Sequence, residues 1–241
     1  MRRSWSKTES MSSGALGVRL FVPRNRTIPI FGMADDMVGE GLVDSLARPN
    51  GNTTGLSIFA GELDGKRQEI LIEAVLGLRR MAALADANTT PVAKLDALRE
   101  AARARNIELS IHRIAGGGEI AAAIDMAQAS GAAALNVLAS PMLFGNRQLI
   151  MDRVAALRLP AIYQWPDTAE EGGFVAYGPR FAKLYELLAQ QAVKLFRGIK
   201  VADIPVEQPT KFELAINLKT AKALGLTIPE SFLQRADKVI E

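Results

Sequence analysis

RMAALADANTTPVAKLDALREAARARNIELSIHRI, residues 80–114, is the stretch from which the fold is read. Arg80 to Ala85 is apolar enough for a buried strand. From about Pro91 to Arg105 the apolar residues recur at helical spacing, and Pro91 suits a first helical position. Ile107 to Ile114 returns to a strand pattern. The unit then repeats. A helix is predicted from about Glu119 to Ala129, a strand over Ala133 to Ala139, a helix from about Phe144 to Arg158 and a short strand over Pro160 to Tyr163. Strand–helix units of this length imply parallel strands joined by right-handed crossovers. The fold class is therefore α/β and doubly wound.

Working outward, Ile28 to Ala34 and Thr54 to Ala60 read as strands, and Met37 to Ala47 as a helix. Leu63 to Leu76 reads as an amphipathic helix with Leu63, Ile70, Leu71, Ala74 and Val75 inward. Gly77-Leu78-Arg79 marks a lobe boundary. Only two strands precede it, and two parallel strands bury both faces of a sheet poorly, so the first lobe reads as incomplete. On the C-terminal side a strand is predicted over Gly172 to Tyr177 and a long helix over Phe181 to Arg197. The ending, IPVEQPTKFELAINLKTAKALGLTIP (204–229), holds two prolines that keep the backbone extended and an alternating strand through Phe212, Leu214 and Ile216. Asn217 is placed to cap a short helix stopped by Gly225, and Pro229 opens another.

The chain has 241 residues, 49% hydrophobic and only 6% aromatic, which favours helices on a sheet over an all-β sandwich. Its net charge of +3 is unevenly placed. Residues 1–26 carry six basic residues against Glu9 alone, while the rest holds 23 basic and 25 acidic residues. Residues 1–27 are expected to be a solvated, disordered arm. The folded remainder is slightly acidic, so no nucleic-acid partner is expected. With no Cys and one His, thiolate chemistry and multi-His metal sites are excluded, and no cofactor or metal is expected. ALGVRLFVP (15–23) is the sole signal-like run; Arg19 interrupts it and no small-residue cleavage site follows, so no signal peptide is recognised.

Ligands of open α/β sheets bind beyond the carboxyl ends of the strands. That rule selects Asp35 and Asp36 as acceptors for a ligand amine, unless one of them caps the following segment. It selects Asn88, Thr89 and Thr90 at a helix start, where hydroxyls and free N–H groups suit a carboxylate or simple capping. Ser140 follows the same logic. Tyr163 and Gln164 could orient a flat ligand, with Trp165 serving either the ligand or lobe packing. Glu171 is a candidate amine partner, and Tyr177 either lines the cleft or packs on the next helix. The catalytic motifs fail. Gly116-Gly117-Gly118 lacks dinucleotide or phosphate-loop spacing, His112 sits in a strand without a nucleophile elbow, and the helical carboxylates read as solvated. No catalytic residue is assigned and the chain does not read as an enzyme.

The 204–229 ending resembles the C-terminal signature of ABC-transporter substrate-binding proteins of the tryptophan/tyrosine-permease type. GLVDSLARPNGNTTGLS (41–57), LPAIY (159–163) and EGGFVAYGP (171–179) resemble the same family, and the likeness runs from Ile28 to Glu241. Ser57, closing the first of these stretches, joins the candidate ligand set. The resemblance implies a type I periplasmic-binding fold: two doubly wound lobes with parallel sheets that close on a solute by hinge motion. The first lobe would comprise residues 28–77 and about 174–200, the second 78–173 and about 201–241. It further implies an exported protein that delivers a small molecule, such as an amino acid or a related amide or zwitterion, to ABC permease subunits. The family's export segment and first strand–helix units have no counterpart here; a cytoplasmic location follows if Met1 is the true start. A shortened first lobe would leave a sheet edge open to homo-oligomerisation. The alternatives are a cytoplasmic ligand-sensing regulator and a non-functional fragment of a binding protein.

Overall fold

The computed structural model describes residues 28–241; the arm expected over residues 1–27 lies outside them. The elements follow in the order β1 (Ile30–Ala34), β2 (Thr53–Ser57), α1 (Asp64–Ala74), β3 (Arg80–Asp86), α2 (Val92–Ala104), β4 (Glu108–Ile114), α3 (Ile120–Ala129), β5 (Leu135–Val137), α4 (Pro141–Gly145), α5 (Arg147–Ala156), β6 (Ala161–Tyr163), α6 (Pro166–Glu170), β7 (Val175–Gly178), α7 (Phe181–Phe196), β8 (Glu213–Asn217), α8 (Leu218–Ala223), α9 (Glu230–Leu233) and β9 (Lys238–Ile240).

Two sheets result. The smaller pairs β1 and β2 in parallel, with Gly32 opposite Gly55. Gly55 has φ +144°, and a Cβ there would lie 1.9 Å from the Gly32 carbonyl oxygen, so only glycine lets these strands meet. Glu207 continues the sheet on the far side of β2: its N–H donates to Gly55 O at 3.0 Å, and Ser57 N–H donates to Glu207 O at 3.0 Å. The prolines at 205 and 209 flank this extended segment. Gln191 of α7, fully buried, donates to Gly55 O at 3.0 Å and Pro205 O at 3.2 Å, fastening the helix to the small sheet.

Met37 to Ala47 is not the expected helix but a run of turns. The Asp36 carboxylate accepts from the Val38 and Gly39 N–H groups at 3.1 and 2.9 Å, and Gly41 turns left-handed at φ +69°. One helical turn forms, with Glu40 N–H on Asp36 O at 2.8 Å, and Leu42 N–H on Met37 O at 2.9 Å closes it. Its apolar spacing still serves burial, since Met37, Leu42 and Val43 pack with Ala34 and Val206.

The larger sheet has seven strands in the order β4-β3-β5-β6-β7-β8-β9. It is parallel through β7; β8 runs antiparallel to β7, and β9 parallel to β8. Helices cover both faces. Ile120, Ile124, Ile150 and Val154 of α3 and α5 fill one side. Ile70, Leu71 and Ala74 of α1 fill the other with Ile162, Val175, Ile216 and Phe232. Thus α1, which precedes the Gly77 break, packs on the large sheet and not on the two strands before it. The single helix expected over 144–158 divides into α4 and α5 at Asn146, and the short α6 and β9 had no clear sequence signal. Asn217 caps α8 as expected, accepting from Thr220 N–H at 3.0 Å.

The chain passes between the sheets three times: after β2, after β7 into α7, and from Glu207 into β8. Trp165, at the carboxyl end of β6, plugs this junction. It stacks on Phe181 of α7 with ring centroids 4.3 Å apart and meets the Phe144 edge at 6.0 Å. The same cluster holds Leu56, Ile58 and Leu184.

Candidate functional site

In the large sheet β3 is followed by β4 on one side and β5 on the other, so strand order reverses between β3 and β5. The crevice at that reversal is the expected ligand position of an open α/β sheet. Two loops line it. Asp86 ends β3; one carboxylate oxygen accepts from the Ser140 hydroxyl at 2.7 Å and the other from the Asn88 N–H at 2.9 Å. Ser140, buried, in turn accepts from Met142 and Leu143 N–H groups at 3.1 and 3.3 Å, capping α4. Ser140→Ala removes a donor to a buried carboxylate and a helix cap together. We expect a loss of about 1–2 kcal/mol in urea unfolding; an unchanged midpoint would contradict this assignment.

The helix α2 opens on the same rim. Pro91 precedes it and no side chain caps it. Lys94 N–H donates to Pro91 O at 3.1 Å, and the Val92 and Ala93 N–H groups are left without a side-chain cap. The Thr90 hydroxyl is buried there with no hydrogen-bond partner. Thr89 is exposed beside it, and the Asn88 side chain donates to Ala115 O at 3.0 Å.

From the small sheet, Asp35 reaches this rim. One of its oxygens accepts from Gly61 N–H at 2.9 Å and the other lies 3.4 Å from Lys94 Nζ in the first turn of α2. Beneath runs a buried pair that sequence reasoning missed. Arg67, fully buried, donates to Asp64 Oδ1 at 2.6 Å, to Ala60 O, and to Tyr177 O at 3.2 Å. Asp64 also accepts from Ala139 N–H at 3.0 Å. These bonds tie the loop leaving β2 to the carboxyl ends of β5 and β7. Burial pushes the Asp64 carboxyl above its ordinary range, against the opposing pull of Arg67.

Tyr163, Gln164 and Trp165 line a small cavity with Leu143, Phe144 and Arg147. The Tyr163 hydroxyl, Gln164 Oε1 and Trp165 Nε1 are all buried there without partners. Burial raises the Tyr163 phenol well above its usual value. Glu171 holds Arg147 in a two-pronged pair, at 2.6 and 3.0 Å.

The structure thus gathers Asp35, Thr89, Thr90 and Ser140 on one rim, with Tyr163 and Gln164 in a cavity below Trp165. Others are otherwise engaged. Asp36 caps its own turn. Ser57, buried, accepts from Met37 N–H at 3.1 Å and donates to Asp35 O at 3.3 Å. Tyr177 packs its ring near Phe212, with centroids 6.3 Å apart, and lends only its carbonyl to Arg67. Asp64, Arg67 and Lys94 were missed because charged residues on otherwise apolar or amphipathic stretches read as solvated. The only local sign was Asp64 and Arg67, three apart at a helix start.

Two unequal lobes joined by three crossings, with polar loops at the carboxyl ends of parallel strands between them, make a type I periplasmic-binding fold. The ABC transporter substrate binding protein family matches residues 14–240, and the chain belongs to that family. A tyrosine-binding protein of Clostridioides difficile is 28% identical over 208 residues, covering 83% of this chain and 58% of that protein. The chain therefore spans less than two thirds of the length of this curated relative. Among solved structures, an ABC domain from Streptococcus pneumoniae in complex with L-Trp superposes with a TM-score of 0.78 at 21% identity, over 94% of this chain and 76% of that one. A conserved domain protein from Vibrio cholerae gives 0.81 at 21% identity, over 93% and 76%. Among the described residues, no helix is long and apolar enough to cross a membrane.

Proposed function

We propose that this chain is the solute-capturing part of an ABC uptake system and that it takes an amino acid between its lobes without altering it. The observation that carries the reading is the rim itself. A carboxylate from the small sheet, Asp35, stands opposite the uncapped start of α2 with the unpartnered Thr90 hydroxyl. A carboxylate suits an ammonium group, and a helix N-terminus suits a carboxylate. Family membership and the ligands named for two relatives, tyrosine and L-Trp, support the amino-acid class. In this reading the protein works outside the cytoplasm and hands its ligand to permease subunits. Of the candidate residues, Asp35, Thr89, Thr90, Tyr163 and Gln164 would form the ligand set.

The test is thermal melting of the purified full chain against each proteinogenic L-amino acid. A ligand at one hundred times its Kd stabilises by about 2.7 kcal/mol. We expect a concentration-dependent rise in Tm with one or a few amino acids, and a smaller one with the matching free amines. A flat response across the whole set would sink the reading.

A further inference from the structure

We infer that Lys94 is a ligand-binding residue, and that the Asp35–Lys94 ion pair is a charge-matched stand-in for a zwitterion. A bound amino acid would exchange partners with it. The ligand ammonium takes Asp35, and the ligand carboxylate takes Lys94 together with the start of α2. This rests on the amino-acid reading above and goes beyond it by naming the cation and the specificity rule.

Four observations converge. Asp35 Oδ2 and Lys94 Nζ are 3.4 Å apart and join the two lobes, 59 residues apart in sequence. Their side chains keep 39% and 36% of their exposure, so a solute can reach both. The pair is held in place by its surroundings: Gly61 N–H donates to Asp35 Oδ1 at 2.9 Å, and a Cβ on Gly61 would lie 2.5 Å from Lys94 Nζ and 2.7 Å from Asp35 Oδ2. Finally, Lys94 lies in the first turn of the uncapped α2, four residues after Thr90, whose buried hydroxyl has no partner.

Charge conservation makes the exchange selective. A half-exposed ion pair is weak, about 0–1 kcal/mol, so opening it costs little. A zwitterion re-pairs both charges. An amine lacking a carboxylate leaves Lys94 facing the new cation with no anion of its own. A carboxylate lacking an amine leaves Asp35 in the converse position. The site should therefore prefer zwitterions to either half alone.

Isothermal titration of the full chain tests this with two matched series: L-tyrosine, tyramine and 3-(4-hydroxyphenyl)propionate, and L-tryptophan, tryptamine and indole-3-propionate. Lys94→Met should weaken the amino acid by roughly tenfold or more, while changing the amine far less. Lys94→Arg, which keeps the charge, should recover most of the affinity. Asp35→Asn should show the mirror pattern, sparing the propionate. Unchanged or tighter amino-acid binding by Lys94→Met would reduce the pair to a latch and overturn the inference. Equal losses for amino acid and amine would reduce Lys94 to a structural role and overturn it as well. If the wild-type chain binds no amino acid at all, the proposed function fails first and this inference with it. If it binds and Lys94→Met does not discriminate, only this inference fails.

Discussion

Arg67→Met should lose about 3–5 kcal/mol of stability at pH 7, the usual consequence of stranding one partner of a buried pair. Arg67 is fully buried, and its guanidinium serves Asp64 and two backbone carbonyls at once. Methionine keeps the volume and removes the charge, leaving Asp64 desolvated with only the Ala139 N–H. For a chain of this size the Tm should fall by about 6–20 °C. The pH dependence gives a second handle. Burial already raises the Asp64 pKa in the fold, and the influences opposing it come chiefly from Arg67. A raised acid is stabilising below its unfolded value of 3.8 and loses that contribution as pH rises through the folded value. The variant raises it further, so its deficit relative to wild type should be greatest near neutrality and shrink as pH falls towards 4. Pairing the change with Asp64→Asn should recover most of the loss. Calorimetry across pH checks both points; a deficit below about 1 kcal/mol at pH 7 would contradict the role given to the pair.

Trp165→Ala should cost about 3–5 kcal/mol, as expected for a buried aromatic truncated to alanine. Its larger consequence is for cooperativity. Trp165 follows β6 of the large sheet by two residues, yet its ring stacks on Phe181 of the helix that covers the small one. Without it the small sheet and its helix are held against the large sheet by the Phe144–Phe181 contact, the loop bonds of Arg67 and the Asp35–Lys94 pair. We expect the single unfolding transition to split or broaden, with a lower apparent m-value. Trp165→Phe keeps a stacking ring and removes an indole N–H that has no partner, so its cost should stay within about 1.5 kcal/mol. Urea titration followed by circular dichroism separates these outcomes. An alanine variant that unfolds in one sharp step near the wild-type midpoint would show that the junction does not depend on this ring.

Much of this architecture was legible along the chain. Arg80 to Tyr163 alternates strand and helix as its periodicities require, and Asn217, Gly225 and Pro229 punctuate the ending where their chemistry predicts. Periodicity is a local property, set by which face of an element must meet apolar neighbours. The ordered signatures at 41–57 and 204–229 carried the family. The failures share a cause. Met37 to Ala47 has helical spacing, but Asp36 and two glycines offer its backbone a competing set of turns that the small sheet then buries. Ser140 and Tyr163 sit at the carboxyl ends of β5 and β6, whereas the side chains of Asp36, Ser57 and Tyr177 are engaged by neighbours invisible in linear order.

The chain's own pattern settles most of the strands and helices and that the strands between residues 80 and 163 lie parallel, because the apolar period of each segment admits few other arrangements. It cannot say that Asp35 will meet Lys94, that Arg67 will be sealed beneath Ala60 and Tyr177, or that Trp165 will bridge the lobes. Those pairings join residues tens of positions apart, and a charge or an aromatic ring acquires its role from what the folded chain brings within a few ångströms of it.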